Sequence, residues 1–504
     1  MITLTAADVA KATSGRLTCD PATAVTGAVV ADSRQVEPGS LFVAIPGAKV
    51  DGADFAAGAV AAGATLVLVA RELPGLPVVV VDDVVAALGN LARTVLDGLR
   101  AANPNIVVFS TTGSAGKTTT KDLLAHLVAE GEDTIAPKGS YNSDVGLPLT
   151  LLRATPATTK FVMEIGADKP GDIGYLARIA RPHIAILLMA GSAHIEFFGS
   201  QDAIANAKAE VFEGLVPGGT AVLNADDFRI LALADRLPAR GQRYVTFGRG
   251  DDAQVRATDI ELDSFGRARF TMHLPAWLVD GEQVSRPDGA PDEFTFPVQL
   301  QLVGEHHVYN ALAAATAAVL AGVEPAIAAE RLGTAKALSP HRMAVTTRPD
   351  GLTIIDDAYN AAPESMVAAL TTLARMAGTG DCEPDGRTVA VVGEMRELGD
   401  RALIAHQEIG RLIVSLGIDL TVVVGQGAKG IYDGATGAGD VSEADGADDV
   451  PQNAEVEIRF APDLDAARNI LRECLRPGDR VLVKASNSTG LWQLADELTG
   501  GALP

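Results

Sequence analysis

The chain has 504 residues, of which 47% are hydrophobic and 21% charged, and its formal net charge at pH 7 is −23. A chain of this length exceeds one hydrophobic core and predicts roughly three domains. The negative charge argues against binding of nucleic acid or of an anionic membrane, because both need a basic footprint. The sequence contains no apolar run of about 18 residues that would predict a membrane span. Its amino-terminal residues also lack the pattern of a signal peptide.

Cysteine usage favours a reducing compartment. Cys19, Cys382 and Cys474 are far apart in the chain and odd in number. Their spacing predicts neither a disulfide framework nor a metal-binding cluster. We therefore expect a cytoplasmic protein.

Three units follow one another along the chain, and the first of them is predicted to be a small α/β domain. It covers residues 1–103 and ends in a linker-like Asn-Pro-Asn. Ala-rich helical stretches lie between its apolar runs of strand length. The predicted strands of this unit lie at 41–45, 66–69 and 78–81.

The second unit, residues 104–335, alternates apolar strands with helices, which predicts a parallel sheet covered on both faces. Its predicted strands lie at 106–110, 160–165, 184–189, 220–223 and 244–247. From 255 to 303, alternating polar and apolar residues predict an antiparallel extension, interrupted by a Pro-, Gly- and Asp-rich loop at 280–297. A helix is predicted at 309–320.

The third unit, residues 336–504, repeats the alternation and is predicted to be a Rossmann-like α/β domain. Its predicted strands lie at 352–356, 388–392, 420–424, 456–460 and 480–483. An acidic, Gly- and Ala-rich stretch at 434–453 has the composition of a mobile surface loop. The predicted fold class is therefore α/β with three domains.

A buried strand, a glycine-bearing turn and the start of a helix follow directly on one another between Val107 and Thr120. Backbone N–H groups of such a turn can bind phosphate, helped by the positive end of the helix. Lys117 is placed for the outer phosphates and the Thr118 hydroxyl for Mg²⁺, so the central sheet is predicted to bind a mononucleotide. The predicted nucleotide-binding residues of this turn are Gly113, Ser114, Ala115, Gly116, Lys117, Thr118 and Thr119.

Further polar residues follow the next strands of the second unit. Glu164 ends an apolar strand, at the edge where ligands bind in open α/β sheets, and either Mg²⁺ or a salt bridge would compensate its charge. His194, after another strand, is either a metal ligand or a hydrogen-bonded loop residue. Lys208 lies within a predicted helix and by itself suggests a solvated lysine.

The third unit carries a comparable group at the end of a strand. Asp356 and Asp357 stand there with Tyr359 and Asn360 behind them, a set that suits recognition of ribose or of an amine. Arg342, which precedes this strand, would suit a transferring phosphoryl group. Each of these residues also has a simpler interpretation as a turn residue or a surface ion pair.

These segments together resemble the Mur ligases, the ATP-dependent amide-forming enzymes of peptidoglycan precursor synthesis. The resemblance covers essentially the whole chain. The phosphate loop of that family also lacks the usual first glycine, whose place is taken here by Thr111. The catalytic residues that the resemblance implies are Lys117, Glu164, His194, Lys208 and Arg342.

The resemblance also implies ligands for these residues. Thr118 and Glu164 would bind one Mg²⁺, while His194 and a carbamylated Lys208 would bind a second. In the same way, Asn310 would contact the adenine of ATP. Arg342 and Asp357 would reach ATP from the C-terminal domain.

Within the family, two segments resemble the ligase that adds D-alanyl-D-alanine to a UDP-N-acetylmuramoyl-tripeptide. They are residues 139–148 and 356–363. The reaction implied has two steps, in which ATP converts the tripeptide carboxylate to an acyl phosphate and the dipeptide amine then displaces phosphate. The substrate-binding residues implied are Ser33, Arg34, Asn142, Tyr359 and Asn360.

The resemblance assigns a role to each unit. Residues 1–103 would bind the UDP substrate, residues 104–335 would bind ATP, and residues 336–504 would close on ATP and bind the dipeptide. We expect a monomer with a hinge at 334–339. The chain departs from the residues typical of the family at Ala115, Ser143, Asp144, His307, His341, Ala362 and Asn487.

Three other interpretations stay open. A plain P-loop kinase or NTPase would explain the phosphate loop, but not the segments around Asn310, Arg342 and Asp357. A ligase of the preceding step, or one resembling folylpolyglutamate synthetase, would use another amine acceptor. A non-catalytic scaffold that binds nucleotide would explain the departures near the acceptor site.

Overall fold

The computed structural model describes residues 2–47, 49–137, 139–193, 195–237, 239, 241–280, 291–336, 338–376, 386–437 and 456–503. The predicted α/β fold is confirmed. Within these residues the strands form a two-stranded, a five-stranded, a nine-stranded and a six-stranded sheet. None of the helices in this part of the chain is both long and apolar enough to cross a membrane.

The first unit holds the two smaller sheets. Its strands are β1 Leu4–Thr5, β2 Arg16–Leu17, β3 Ala24–Val25, β4 Val29–Val30, β5 Leu41–Val43, β6 Leu66–Val69 and β7 Val78–Val80. Its helices are α1 Ala6–Thr13, α2 Ala56–Ala61 and α3 Val84–Ala102. The five-stranded sheet has the order β2-β7-β6-β5-β4 and is parallel except for β2.

Helix α3 joins the first unit to the second. Asp83 caps its start by accepting hydrogen bonds from the N–H groups of Val85 and Ala86, which satisfies donors that have no partner inside the helix. Gly89 faces Tyr175, and a Cβ atom there would lie 2.6 Å from the phenol oxygen. This close approach is possible because glycine has no side chain, and it shows that the two units are packed tightly against each other.

The second unit holds the nine-stranded sheet. Its strands are β8 Val107–Thr112, β9 Asp133–Ile135, β10 Thr158–Glu164, β11 Ile184–Leu187, β12 Thr220–Asn224, β13 Arg243–Gly248, β14 Val255–Leu262, β15 Arg267–Pro275 and β16 Glu293–Val303. Its helices are α4 Lys117–Val128, α5 Gly146–Leu151, α6 Asp172–Ala180, α7 Ile195–Phe198, α8 Gln201–Ala209, α9 Phe228–Leu231, α10 Ala276–Asp280, α11 His307–Leu320 and α12 Pro325–Leu332.

Strand β8 positions the phosphate loop. It lies between β10 and β11 and is parallel to both, and the chain changes direction across the sheet at this strand. Val108 and Phe109 belong to hydrophobic clusters on opposite faces of the sheet, which explains the continuous apolar run. Ligands of open α/β sheets bind at such a switch point, beyond the carboxyl ends of the strands.

The antiparallel extension predicted after residue 255 is confirmed, but the predicted loop within it was drawn too long. β14 is parallel to β13, whereas β15 and β16 continue the sheet in antiparallel fashion. β16 begins at Glu293, so residues 293–297 are a strand, and residues 281–290 lie outside the described part. Pro297 misled the prediction. It is accommodated because β16 is an edge strand, where a missing N–H group leaves no neighbouring strand unpaired.

The third unit holds the six-stranded sheet, in the order β17-β18-β22-β19-β20-β21. Its strands are β17 Ala344–Thr347, β18 Thr353–Asp356, β19 Thr388–Val392, β20 Leu420–Val424, β21 Glu457–Ala461 and β22 Arg480–Lys484. Its helices are α13 Pro363–Met376, α14 Ala402–Ser415, α15 Lys429–Thr436, α16 Leu464–Cys474 and α17 Trp492–Thr499. The loop predicted at 434–453 was wrong for its first residues, since α15 continues to Thr436. Residues 438–453 of it lie outside the described part.

Candidate active site

The turn after β8 has a backbone suited to an anion. Gly116 precedes α4 with a φ of +82°, a left-handed conformation that favours glycine. No side chain of the described residues caps the start of α4. The N–H groups of its first turn are therefore free to bind phosphate. Lys117 folds back over the turn, where its Nζ donates to the carbonyl oxygen of Gly113 at 2.7 Å. Burial lowers the pKa of Lys117, and the Glu164 carboxylate opposes that shift.

Ser140 links the phosphate loop to the third unit. Its Oγ lies 3.1 Å from Oγ1 of Thr118 and accepts a hydrogen bond of 3.2 Å from Nη2 of Arg342. Either hydroxyl can donate in the contact between Ser140 and Thr118. The Arg342 guanidinium also lies over the ring of Tyr359, 4.0 Å from the centroid. The structure thus places Arg342 beside the residue predicted to hold Mg²⁺.

Glu164 ends β10 directly beside the loop, since its register partner on β8 is Thr111. The residue is 1% exposed. Its Oε1 accepts a hydrogen bond of 2.7 Å from Nδ2 of Asn142, whereas its buried Oε2 has no partner among the described residues. A buried carboxylate oxygen without a partner is costly. A cation at this position would compensate it.

Lys208 is buried, so its interpretation as a solvated surface lysine is wrong. It lies in α8 and is 2% exposed. Burial, together with the positive charge of Lys117, lowers the pKa of Lys208 to about 7. The amine is therefore partly neutral, and nucleophilic, at physiological pH. His194, its predicted companion, lies outside the described residues.

Asn310 packs against the turn from α11. Its Oδ1 accepts from the Thr120 hydroxyl at 3.2 Å, and its Nδ2 lies 3.1 Å from Nδ1 of His307. The Nε2 atom of His307 is buried without a partner among the described residues. A Cβ atom on Gly116 would lie 2.4 Å from the Asn310 oxygen, so the glycine and the amide are in direct contact.

Asp357 is held by two groups of the third unit. Its Oδ2 accepts a bond of 2.5 Å from Nζ of Lys484, and its Oδ1 accepts from the N–H of Met343 at 3.2 Å. Lys484 is 1% exposed and also donates to the carbonyl oxygen of Asn360 at 2.9 Å. β18 and β22 are adjacent and parallel, so these residues meet at one edge of the sheet. Asp356 instead accepts from His341 at 2.7 Å, which positions the start of the third unit.

A cavity of about 640 Å³ between the second and third units collects most of the predicted residues. Gly113 is not part of its lining, although it lies in the same turn. The predicted residues that line this cavity are Ser114, Ala115, Gly116, Lys117, Thr118, Thr119, Asn142, Glu164, Lys208, Asn310, Arg342, Asp357, Tyr359 and Asn360.

Ser33 and Arg34 do not belong to the lining of this cavity as the described residues form it. They lie in a short turn of the first unit. The Arg34 side chain is 87% exposed and pairs with Asp32 at 2.6 Å, which lowers the pKa of Asp32 to about 2. Any contact of these two residues with a ligand would therefore be made at the surface of the first unit.

Ser140, Lys484 and Glu364 are among the polar residues of the cavity that were not predicted as site residues. Lys484 could have been found, because it directly follows the predicted strand 480–483 and so ends at the ligand-binding edge. Ser140 lies in a segment quoted for the resemblance, but only its contacts reveal its position. Glu364 gave no signal beyond its place at the start of a helix.

The residues present fit a nucleotide with a divalent cation. The free N–H groups at the start of α4 suit phosphate oxygens, and Lys117 and Arg342 suit their charge. The unpartnered Oε2 of Glu164 and the Thr118 hydroxyl are the hard oxygen ligands that Mg²⁺ prefers. The site can thus hold a polyphosphate against the sheet edge of the second unit while the third unit approaches it from the opposite side.

Comparison with known proteins defines the class of protein. The family model described as the Mur ligase middle domain matches residues 111–318, and that described as the Mur ligase glutamate ligase domain matches residues 341–487. The Mur ligase family catalytic domain matches residues 27–95. Together with a curated relative that is 41% identical over 99% of this chain, these matches establish that the chain belongs to the Mur ligase family.

Several of the similar proteins share one name. The UDP-N-acetylmuramoyl-tripeptide–D-alanyl-D-alanine ligase of Mycobacterium tuberculosis is 41% identical, covering 99% of this chain and 98% of its own length. The Escherichia coli ligase of the same name is 34% identical, covering 82% and 84%. A MurF crystal structure from Acinetobacter baumannii superposes with a TM-score of 0.82 at 29% identity, covering 99% of both chains. MurF ligase from Thermotoga maritima, solved in complex with ADP, gives 0.74 at 27% identity, covering 95% and 98%.

Proposed function

We propose that this protein is an ATP-dependent ligase that joins D-alanyl-D-alanine to UDP-N-acetylmuramoyl-tripeptide. The products are UDP-N-acetylmuramoyl-pentapeptide, ADP and phosphate. Relatives of this name match the chain from end to end, which supports the assignment. The observation that carries it is the cavity between the second and third units, which Lys117, Lys208 and Arg342 line together with the buried Glu164 carboxylate.

The chemistry requires two anions to meet, the tripeptide carboxylate and the γ-phosphate of ATP. Their repulsion makes positioning and charge neutralisation the main tasks of the protein. Lys117 and the N–H groups that begin α4 hold the β- and γ-phosphates, and Arg342 neutralises charge on the transferring group. Mg²⁺ held by Thr118 and Glu164 would supply further neutralisation of the phosphates. The carboxylate of the tripeptide attacks the γ-phosphorus and ADP leaves, which gives an acyl phosphate. The neutral dipeptide amine then attacks the acyl carbon, phosphate leaves, and the new amide nitrogen loses a proton.

Lys208 is proposed to act as a carbamate. Its pKa of about 7 leaves a fraction of the side chain as the neutral amine, the form that combines with CO₂. The neutral amine and CO₂ form the carbamate with release of one proton, so that, counting the proton that the ammonium form loses first, a cationic side chain becomes an anionic oxygen ligand with loss of two protons. An oxygen ligand suits a second Mg²⁺, whereas an ammonium group does not. With His194, the carbamate would hold this second cation near the γ-phosphate.

The units are proposed to divide the substrates among themselves. Residues 1–103 bind the UDP substrate, with Ser33 and Arg34 as contacts. Residues 104–335 bind ATP, with the adenine near Asn310. Residues 336–504 close on ATP through Arg342 and bind the dipeptide beside Tyr359 and Asn360. Closure uses the hinge at 334–339, and we propose a cytoplasmic monomer.

An omission experiment tests this function. Phosphate release is measured with ATP, UDP-N-acetylmuramoyl-tripeptide and D-alanyl-D-alanine, and each component is left out in turn. We expect release only with all three present. Release without the amine would favour a plain NTPase, and release with another amine acceptor would favour a ligase of the preceding step or one resembling folylpolyglutamate synthetase. Nucleotide binding without turnover would favour a scaffold.

A further inference from the structure

We infer that Glu364 binds the ammonium group of the incoming amine substrate. This inference rests on the proposed function, and it assigns a role to a residue that the sequence patterns did not single out. Glu364 lies in the first turn of α13 and lines the cavity together with Lys208, Tyr359 and Asn360.

The Glu364 carboxylate is fixed in place by the second unit. Its Oε1 accepts a hydrogen bond of 2.6 Å from the N–H of Ser192, in the segment that follows β11. A Cβ atom on Gly191 would lie 2.8 Å from the Glu364 Cδ, so the carboxylate rests directly on that backbone. Oε2 has no hydrogen-bond partner among the described residues. One oxygen of Glu364 thus anchors the side chain and the other stays available to a ligand.

The better-buried carboxylates of the cavity are already committed. Oε1 of Glu164 accepts a hydrogen bond from Asn142, and its other oxygen is the proposed ligand of Mg²⁺ beside the phosphate loop. Both oxygens of Asp357 accept hydrogen bonds, one from Lys484 and the other from the N–H of Met343. Asp144 and Asp168 also line the cavity, but their side chains are exposed to solvent, where an ion pair is weak. Asp172 is half-buried, but it belongs to the second unit, and its Oδ2 accepts from the N–H groups of Asp168 and Lys169. Glu364 therefore remains as the half-buried carboxylate with a free oxygen on the side of the third unit.

A carboxylate at this position offsets the cationic groups of the phosphate site. Lys117 and Arg342 line the cavity as cations, whereas Lys484 is already paired with Asp357. Lys117 and Arg342 attract phosphate and repel an ammonium group by the same Coulomb interaction. The α-amino group of a dipeptide is largely protonated at neutral pH. The Glu364 carboxylate offers it an ion pair with a charge-assisted hydrogen bond.

The same contact couples amine binding to closure of the two units. Ser192 belongs to the second unit and Glu364 to the third, so the anchored carboxylate exists only while the units are together. The amine site is therefore complete only after closure. This order protects the acyl phosphate from water until the amine is bound.

The test compares two nucleophiles on the variant Glu364→Gln. Glutamine keeps an oxygen that can accept from Ser192 but lacks the negative charge. With ATP and UDP-N-acetylmuramoyl-tripeptide, we expect the KM for D-alanyl-D-alanine to rise roughly 10- to 100-fold, the range for loss of a charge-assisted hydrogen bond. Hydroxylamine is largely uncharged at pH 7.5 and traps acyl phosphates as hydroxamates. Hydroxamate formation by the variant should stay within about twofold of the wild type.

The other possible results of this experiment would each contradict one part of the inference. Equal loss of both reactions would show that Glu364 only holds the units together, and an unchanged KM for the dipeptide would show that it does not bind the amine. If the wild-type protein forms no hydroxamate that depends on both tripeptide and ATP, the proposed function itself fails. Glu330→Gln removes one charge from an exposed position of α12 and serves as the matched control; its KM should equal that of the wild type.

Discussion

Lys208 shows how burial changes the chemistry of one side chain. From its place in a predicted helix, Lys208 would be an ordinary surface lysine. In the structure its side chain is buried, with 2% exposure, and lies near Lys117. Both the loss of solvent and the neighbouring charge disfavour the ammonium form. The pKa near 7 that results permits carbamylation at physiological pH, which the same residue in water would resist.

Replacement of Lys208 tests this role. We expect Lys208→Ala to lower kcat by roughly 10²- to 10³-fold, the loss typical of removing one group that stabilises the transition state. Acetate or propionate should restore part of the activity, because a short carboxylate can occupy the space of the carbamate. Lys11→Ala, at an exposed position of α1, is the control and should neither lose activity nor respond to acetate. Full turnover by Lys208→Ala would contradict the carbamate proposal.

At the scale of single elements, the start of α4 depends on the absence of a side chain at Gly116. A left-handed backbone there turns the free N–H groups toward the cavity, and the Asn310 amide fills the space beside it. The strand β8 before it is buried on both faces, so the position of the turn cannot shift. Strand, turn and helix therefore form one rigid element, which we propose binds the phosphates of ATP.

We expect Gly116→Ala to weaken ATP binding by about tenfold or more. The left-handed conformation costs an alanine about 1–2 kcal/mol, and its Cβ would displace Asn310. Isothermal titration calorimetry with ATP and Mg²⁺ measures the change. Gly98→Ala is the matched control, since Gly98 is exposed within α3 and an added Cβ meets no atom within 4 Å. This control should bind ATP normally and melt at the same or a higher temperature. Normal ATP affinity in Gly116→Ala would mean that the turn does not bind the phosphates.

On the scale of the whole molecule, buried histidines link the packing of the units to pH. Burial lowers the pKa of His183 and of His306 to about 4, and it also lowers the pKa of His307 and of His406. In the unfolded chain these groups protonate near pH 6.5. The unfolded state therefore binds more protons between about pH 6.5 and 4. Stability is present above pH 6.5 and is lost as the pH falls through this window.

His183 provides a test of this dependence. Its Nδ1 accepts a hydrogen bond of 3.0 Å from the N–H of Val108, so only the neutral ring fits. We expect the first thermal transition of the wild type to fall steadily between pH 6.5 and 4.5. His183→Gln keeps an acceptor that does not titrate, and its melting temperature should fall less over the same range. His126→Gln, at a half-buried residue of α4 whose Nε2 lies 3.1 Å from the Thr334 hydroxyl oxygen, is the control and should follow the wild type. Parallel curves for all three proteins would refute a contribution from His183.

Much of the fold could be predicted because its signals are local. Continuous apolar runs such as that of β8 predict strands buried on both faces, and the alternation with helices predicts parallel sheets. β16 shows the limit. Pro297 normally excludes a strand, and only the edge position of β16, which depends on the arrangement of the whole sheet, makes it acceptable.

The candidate site likewise has a part that local sequence pattern predicts and a part that it does not. Gly116, Lys117 and Thr118 are adjacent in sequence, and Glu164 ends a strand, so their chemistry could be inferred from local pattern. Ser140 and Arg342 are 202 positions apart, and no local pattern indicates that they share a hydrogen bond. Glu364 and Ser192, 172 positions apart, meet only because two units close on each other.

By itself, the sequence determined the fold class, the family and the succession of strand, turn and helix around Gly116, because each rests on short local patterns of neighbouring residues. The tertiary structure alone decided the burial of Lys208, the pairing of Asp357 with Lys484, and the anchoring of Glu364 on the backbone of Ser192. Those features depend on how strands and helices that are distant in sequence, within one unit or in two, are brought to one cavity. Burial and proximity across such distances, not residue type, decide the pKa of each group and which of its oxygens stays free for a substrate.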